Sequence, residues 1–251
     1  MKKLYIVILL IAFSTFGCKE NAKPKLLIAA ASSMNLVMEE LIEEFTKESG
    51  IACELMLSSS GKLTAQIKEG APYDVFVSAN MKYPSLLYEN NLCSRPKIFA
   101  YGKLILWTKN NTTNPTIEML SHDSIKHIAM ANPKVAPYGE VAMEVLKHFQ
   151  ILDKVEHKLI YGESISQTNQ FILSGAVDLG FTSKSSIYYK QMEGKGRWIE
   201  LDESFYSAIK HGIVVIKNEK LTESEEFLKF VFNKKAEKIL EAYGYELSKD
   251  E

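Results

Sequence analysis

The chain has 251 residues, 46% of them apolar and 24% charged, enough to bury one large core or two of ordinary size. Lysine plus arginine number 30 against 31 aspartates and glutamates, for a formal charge of -1. With no basic excess to neutralise phosphates, nucleic acid is set aside as a partner.

Taken in order, Met1-Lys2-Lys3 is a charged start, Leu4 to Phe13 a continuous apolar run, and Ser14-Thr15-Phe16-Gly17 leads into Cys18. Residues 1–17 read as a secretory signal whose apolar run is too short to span a bilayer. A small residue directly before a cysteine resembles a bacterial lipoprotein signal, although Thr15 stands where a leucine-like residue is usual. We therefore expect an exported protein, in the periplasm or on the outer face of the cytoplasmic membrane, lipid-anchored at Cys18. Residues 18–24 would be the tether, and the membrane would be touched only through the lipid. Cys53 and Cys93 show no CxxC or metal-ligand spacing. Export would permit a disulfide between them, but nothing in the sequence brings them together.

Beyond the tether, short apolar runs alternate with amphipathic ones. Lys25 to Ala29 has strand length. Met34, Val37, Met38, Leu41, Ile42 and Phe45 then recur at helical spacing. Strands are expected over Ile51 to Leu57 and Tyr73 to Ser78, with helices over Leu63 to Lys68 and Met81 to Tyr88. After the strand Leu104 to Thr108 and the polar loop Asn110 to Pro115, the alternation resumes. Ile128 to Ala131, His157 to Tyr161, Val177 to Thr182 and Ile209 to Ile216 read as strands. Glu140 to Phe149, Gln167 to Leu173, Glu223 to Phe232 and Lys235 to Tyr243 read as helices, with Gly244 as a C′ residue. Strand, helix, strand in this order means parallel pairing and an α/β class, and two such runs point to two lobes.

The chemistry-bearing stretches sit where strands turn into helices. Ala29-Ala30-Ala31-Ser32-Ser33 is the first, a small, hydroxyl-rich junction. Ser32 or Ser33 either caps the helix or joins free N–H groups and the helix dipole in an anion cradle. Ser58-Ser59-Ser60-Gly61-Lys62 repeats that logic. Ser59 to Lys62 also fits the S-x-x-K of serine acyl-enzymes, but the companion KTG and SDN motifs are missing. In Asn132 to Gly139, Pro133 and Pro137 lack N–H groups, which leaves the Tyr138 amide as a rigidly presented donor. Gly162-Glu163-Ser164-Ile165-Ser166 is the fourth junction. Carboxyl ends of parallel strands are where α/β folds hold ligands. The five histidines form neither HxH nor HExxH.

These stretches together resemble the periplasmic molybdate-binding proteins of ABC importers, the ModA family. The matching pieces are A-A-A-S at 29–32, S-S-G-K-L at 59–63, G-A-P-Y-D-V-F-V-S-A-N at 70–80, N-P-x-x-x-P-Y-G at 132–139, D-L-G-F at 178–181 and A-Y-G-Y at 242–245. The resemblance implies a two-lobed type II solute-binding fold with a cleft between lobes. Lobe I would comprise 25–103 plus 213–251 and lobe II 104–212, with crossings near Lys103 to Thr108 and Ala208 to Ile216. It also implies a non-enzymatic monomer that carries molybdate, and tungstate alike, to an ABC permease. No cofactor is implied: the metal is met only through its oxygens, by Ser32, Ser60, Tyr138 and Ile165. A fifth contact is expected at Ser183, where some relatives carry tyrosine in a G-I-V-Y run and this chain reads Gly180-Phe181-Thr182-Ser183. The alternatives are another tetrahedral oxyanion such as sulfate, or an acyl-enzyme built on Ser59 and Lys62.

Overall fold

A computed structural model describes residues 25–247 except 113 and 193. The signal, the tether and Cys18 lie outside the described residues. Strand β1 (Leu26–Ala31) is an apolar run buried on both faces, as expected of a strand that helices cover on two sides. It ends in a 3₁₀ turn, Ser32–Met34, that continues into α1 (Asn35–Ser49). There follow β2 (Cys53–Ser58), α2 (Ser60–Lys68), β3 (Val75–Ser78), α3 (Lys82–Glu89) and β4 (Lys97–Gly102). The chain then enters β5 (Leu104–Thr108), β6 (Ile128–Ala131), α4 (Pro137–His148), the single turn α5 (Leu152–Val155), β7 (Leu159–Gly162), α6 (Ile165–Ser174), β8 (Leu179–Ser183) and β9 (Arg197–Glu200). It returns through β10 (Ile209–Val215) to α7 (Leu221–Val231), α8 (Lys234–Ala242) and β11 (Glu246–Leu247).

Two mixed sheets result, with strand orders β11-β4-β10-β3-β1-β2 and β7-β6-β8-β5-β9. In each, three parallel strands sit beside antiparallel ones: β1 pairs parallel with β2 and β3, and β6 parallel with β7 and β8. The chain crosses between sheets at Lys103 and returns between Glu200 and Ile209. Ile209 to Gly212, which the sequence reading assigns to the second lobe, pair with β3 and β4 in the first sheet. Lys103 is 7% exposed at the crossing, and its ammonium pairs with Glu203 and, at 2.7 Å, with Glu246. Burial works against that charge, but the two carboxylates more than offset it and raise the lysine's pKa.

The C-terminal helices pack back on the first lobe. Phe45 of α1 meets Phe227 and Phe230 of α7 edge-on, at ring-centre distances of 5.1 and 5.5 Å. Gly244 follows α8 at φ 77°, the left-handed C′ geometry expected of it. Elements absent from the sequence reading are β4, β9, β11 and α5. Strand β9 (Arg-Trp-Ile-Glu) has no buried residue, being an edge strand held by its ladder to β5. Such a strand carries no apolar signal. Both described cysteines are free thiols, Cys93 buried and Cys53 partly so.

Candidate functional site

Three of the four strand-to-helix junctions leave identifiable backbone donors over, because the first N–H groups of a helix have no partner within it. In α4, Pro137 occupies the first position, and the N–H groups of Gly139 and Glu140 turn back to the Ala136 carbonyl at 2.9 and 3.2 Å. Among the described residues, the Tyr138 N–H is the donor of that turn left without a partner. In α6, Ser166 donates to Ser32 Oγ at 3.4 Å, Gln167 to Ser164 Oγ at 3.4 Å and Thr168 to the Ser164 carbonyl at 3.0 Å. That leaves the Ile165 N–H. In α2, Gly61 donates across the cleft to the Val135 carbonyl at 2.9 Å and Leu63 to the Ser59 carbonyl at 3.1 Å, so the Ser60 and Lys62 N–H groups remain.

These junctions meet. Ala31, Ser32, Ser33, Ser59, Ser60, Ala79, Ala136, Pro137, Tyr138 and Ile165 line one small cavity between the lobes. None of them is charged. The cavity, at about 10 Å³, has room for roughly one water-sized sphere, which excludes a sugar or a peptide. Several lining carbonyls are already engaged: those of Ser59, Ser60 and Ala136 accept within their own helix turns, and that of Ser33 accepts from Ser185 Oγ at 2.8 Å and Tyr245 Oη at 2.9 Å. The helix starts contribute unpartnered N–H and hydroxyl groups.

The serines divide by what they already do. Ser60 Oγ accepts the Ala79 N–H at 3.1 Å, which leaves its own hydrogen to point elsewhere. The hydroxyls of Ser33 and Ser59 are buried and find no partner among the described residues. Neither is among the ligand contacts that the family resemblance implies, although the sequence offers Ser33 beside Ser32 in the first junction and Ser59 as the nucleophile of the acyl-enzyme alternative. The signal was the serine run itself, but which of two adjacent serines turns inward depends on where the helix begins. Ser59 is the N-cap of α2 without capping it through its side chain.

Ser32, Ser60, Tyr138 and Ile165 come together, and Ser183 does not join them. Ser183 Oγ is wholly buried in a hydroxyl cluster, bonded to Ser186 Oγ at 2.8 Å and Ser185 Oγ at 3.0 Å. The end of β8 reaches the cavity only at one remove, through the bond from Ser185 to the Ser33 carbonyl. Lys184 pairs with Glu200 at 2.6 Å and is not among the lining residues. The Tyr138 side chain points away from the cavity entrance into the packing near Gly102 and His211, where burial pushes its phenol well up. The Lys62 ammonium is held by Glu163 at 2.5 Å across the cleft, an arrangement that does not serve Ser59 as a base.

A larger groove of about 540 Å³ runs past Tyr73, Asp74, Asn218 and Lys220. Its central carboxylate is already satisfied: Asp74 accepts from the Leu27 N–H and Asn218 Nδ2, both at 2.6 Å, and from Lys220 Nζ at 3.0 Å. Among the described residues no cluster of histidine, cysteine, aspartate and glutamate could hold a bare metal ion. Nor is any helix there long and apolar enough to cross a membrane.

Residues 26–246 match the family model described as a bacterial extracellular solute-binding protein. The chain is 30% identical over 227 residues to the molybdate-binding protein ModA of Rhodobacter capsulatus, covering 89% of each. It is 29% identical over 225 residues to ModA of Azotobacter vinelandii, covering 88% of this chain and 89% of the relative. The solved structure of the Azotobacter vinelandii periplasmic molybdate-binding protein superposes with a TM-score of 0.85 at 30% identity, spanning 90% of this chain and 100% of that one.

Proposed function

This chain belongs to the bacterial extracellular solute-binding family, and within it to the ModA proteins, and we propose that its interlobe cavity captures molybdate for an ABC importer. One observation carries the reading: helix starts from both lobes aim unpartnered N–H and hydroxyl donors into a space lined by no charged residue. A fully ionised tetrahedral dianion accepts hydrogen bonds and donates none, so donors alone satisfy it, without a buried cation. Hydrogen phosphate carries a proton that would find no acceptor. Sulfate shares charge and shape but is smaller, so discrimination against it is a matter of cavity size, and tungstate binds like molybdate. In this reading Ser32, Ser60, Tyr138 and Ile165 are ligand contacts, and Ser33 and Ser59 join them. The role sketched for Ser183 passes to Ser185, which steadies the Ser33 peptide. The protein works outside the cytoplasm as a monomer that hands the anion to a membrane permease, tethered by lipid on Cys18.

A thermal-shift panel of molybdate, tungstate, sulfate, phosphate and chromate tests this, because a ligand that binds the native state raises the melting temperature by mass action. Stabilisation by molybdate and tungstate alone is the expected result. A shift with sulfate alone would move the assignment to another oxyanion, and labelling by a fluorophosphonate probe would revive the acyl-enzyme.

A further inference from the structure

The cavity is uncharged, yet its rim is not, and the rim charges are sorted by lobe. Lys62, two residues past Ser60, meets Glu163, two residues before Ile165, at 2.5 Å. Lys82 meets Glu140, two residues past Tyr138, at 2.9 Å, and Asn80 Nδ2 donates to the same carboxylate at 3.3 Å. Each pair ties a ligand-facing turn of the first lobe to one of the second. Both lysines come from the first lobe and both glutamates from the second. When the lobes part these pairs must break, since their members ride on different sheets.

We propose that Lys62 and Lys82 act twice in the binding cycle: first as an uncovered cationic rim that draws the dianion onto the first lobe, then as a latch engaged by Glu163 and Glu140 on closure. The proposal rests on the reading that this cavity binds molybdate. In the open form the lysines stand without their carboxylates, Lys62 beside the Ser60 turn and Lys82 beyond the turn that follows β3, and a dianion arriving there meets favourable charge. Closure brings the glutamates onto the lysines and neutralises the rim while the neutral donors take over the anion. The charges thus favour entry and then favour the closed state, and no ion is buried with the ligand. All four side chains are partly exposed, so each pair changes affinity by about 1.5- to 5-fold, the scale of a solvent-screened ion pair.

The test is a double-mutant cycle on Lys62→Met and Glu163→Gln, with calorimetric molybdate affinity at low and moderate salt and rapid filtration of isotope-labelled molybdate for the rates. Lys62→Met should slow association and speed dissociation. Glu163→Gln should speed dissociation without slowing association. The double variant should dissociate no faster than the worse single variant and show a weaker salt dependence than the wild type. Tighter binding by Glu163→Gln would mean that the carboxylate only repels the dianion. Losses that multiply in the double variant would mean that the two charges act independently. Either result overturns the latch. Failure of the wild-type protein to bind molybdate at all would instead sink the functional reading beneath it.

Discussion

Ser59 and Ser60 sit side by side in the second junction, and their replacement by alanine separates ligand binding from folding. Ser60 Oγ is the acceptor for the buried Ala79 N–H, so Ser60→Ala strips that donor of its partner whether or not ligand is present. An orphaned buried N–H costs about 1–3 kcal/mol. In a chain of this size that lowers the ligand-free melting temperature by roughly 2–12 °C. Ser59 Oγ holds no partner, so Ser59→Ala breaks nothing in the empty protein and should leave its melting temperature within about 2 °C of wild type. On the proposed site both variants should also lose a hydroxyl bond to a charged acceptor, worth about 1.5–3 kcal/mol, or roughly 10- to 150-fold in affinity. Scanning fluorimetry without ligand and calorimetric titration with molybdate read the two effects separately. Wild-type affinity in Ser59→Ala would show that the unpartnered hydroxyl is no ligand group. An unmoved ligand-free melting temperature in Ser60→Ala would refute the link between Ser60 and Ala79.

His211 lies wholly buried among the rings of Phe99, Tyr138 and Tyr245, with neither ring nitrogen in a well-formed hydrogen bond among the described residues, and burial lowers its pKa from 6.5 to about 3 against a weaker opposing influence of the Ile209 backbone. The unfolded chain therefore binds more protons between those values. Stability should be full above pH 6.5 and fall as pH drops, by about 2 kcal/mol near pH 5, a slope that His211→Met flattens in urea titrations. Gly139 approaches β6 so closely that a Cβ would lie 2.1 Å from the Ala131 carbonyl oxygen, a backbone atom that cannot yield. Gly139→Ala should cost about 1–3 kcal/mol of stability and, by displacing the Tyr138 amide, at least about tenfold in molybdate affinity. Closure itself should appear as a smaller radius of gyration by X-ray scattering with saturating molybdate, and identical curves for free and bound protein would contradict a site shared between lobes.

Much of the fold was legible because its strands and helices advertise themselves. The apolar runs of β1, β3 and β6 are buried on both faces and need no partner to be recognised. The helical spacing from Met34 to Phe45 is the face that packs on α7. The junctions were legible for the same reason, since serine, glycine and proline have few uses between a strand and a helix. Other features belong to the tertiary structure alone. Strand β9 exists only through its ladder to β5. Helix α4 begins at Pro137 rather than at Glu140, which puts the Tyr138 amide inside its first turn. Whether Ser59 or Ser60 holds the Ala79 amide, and whether Ser183 faces ligand or a cluster of hydroxyls, turns on rotations of a fraction of a helical turn. A linear pattern repeats every two or three to four residues and does not resolve such rotations. The meeting of Lys62 with Glu163 joins residues 101 apart, and only the closing of two sheets on one another brings them within reach.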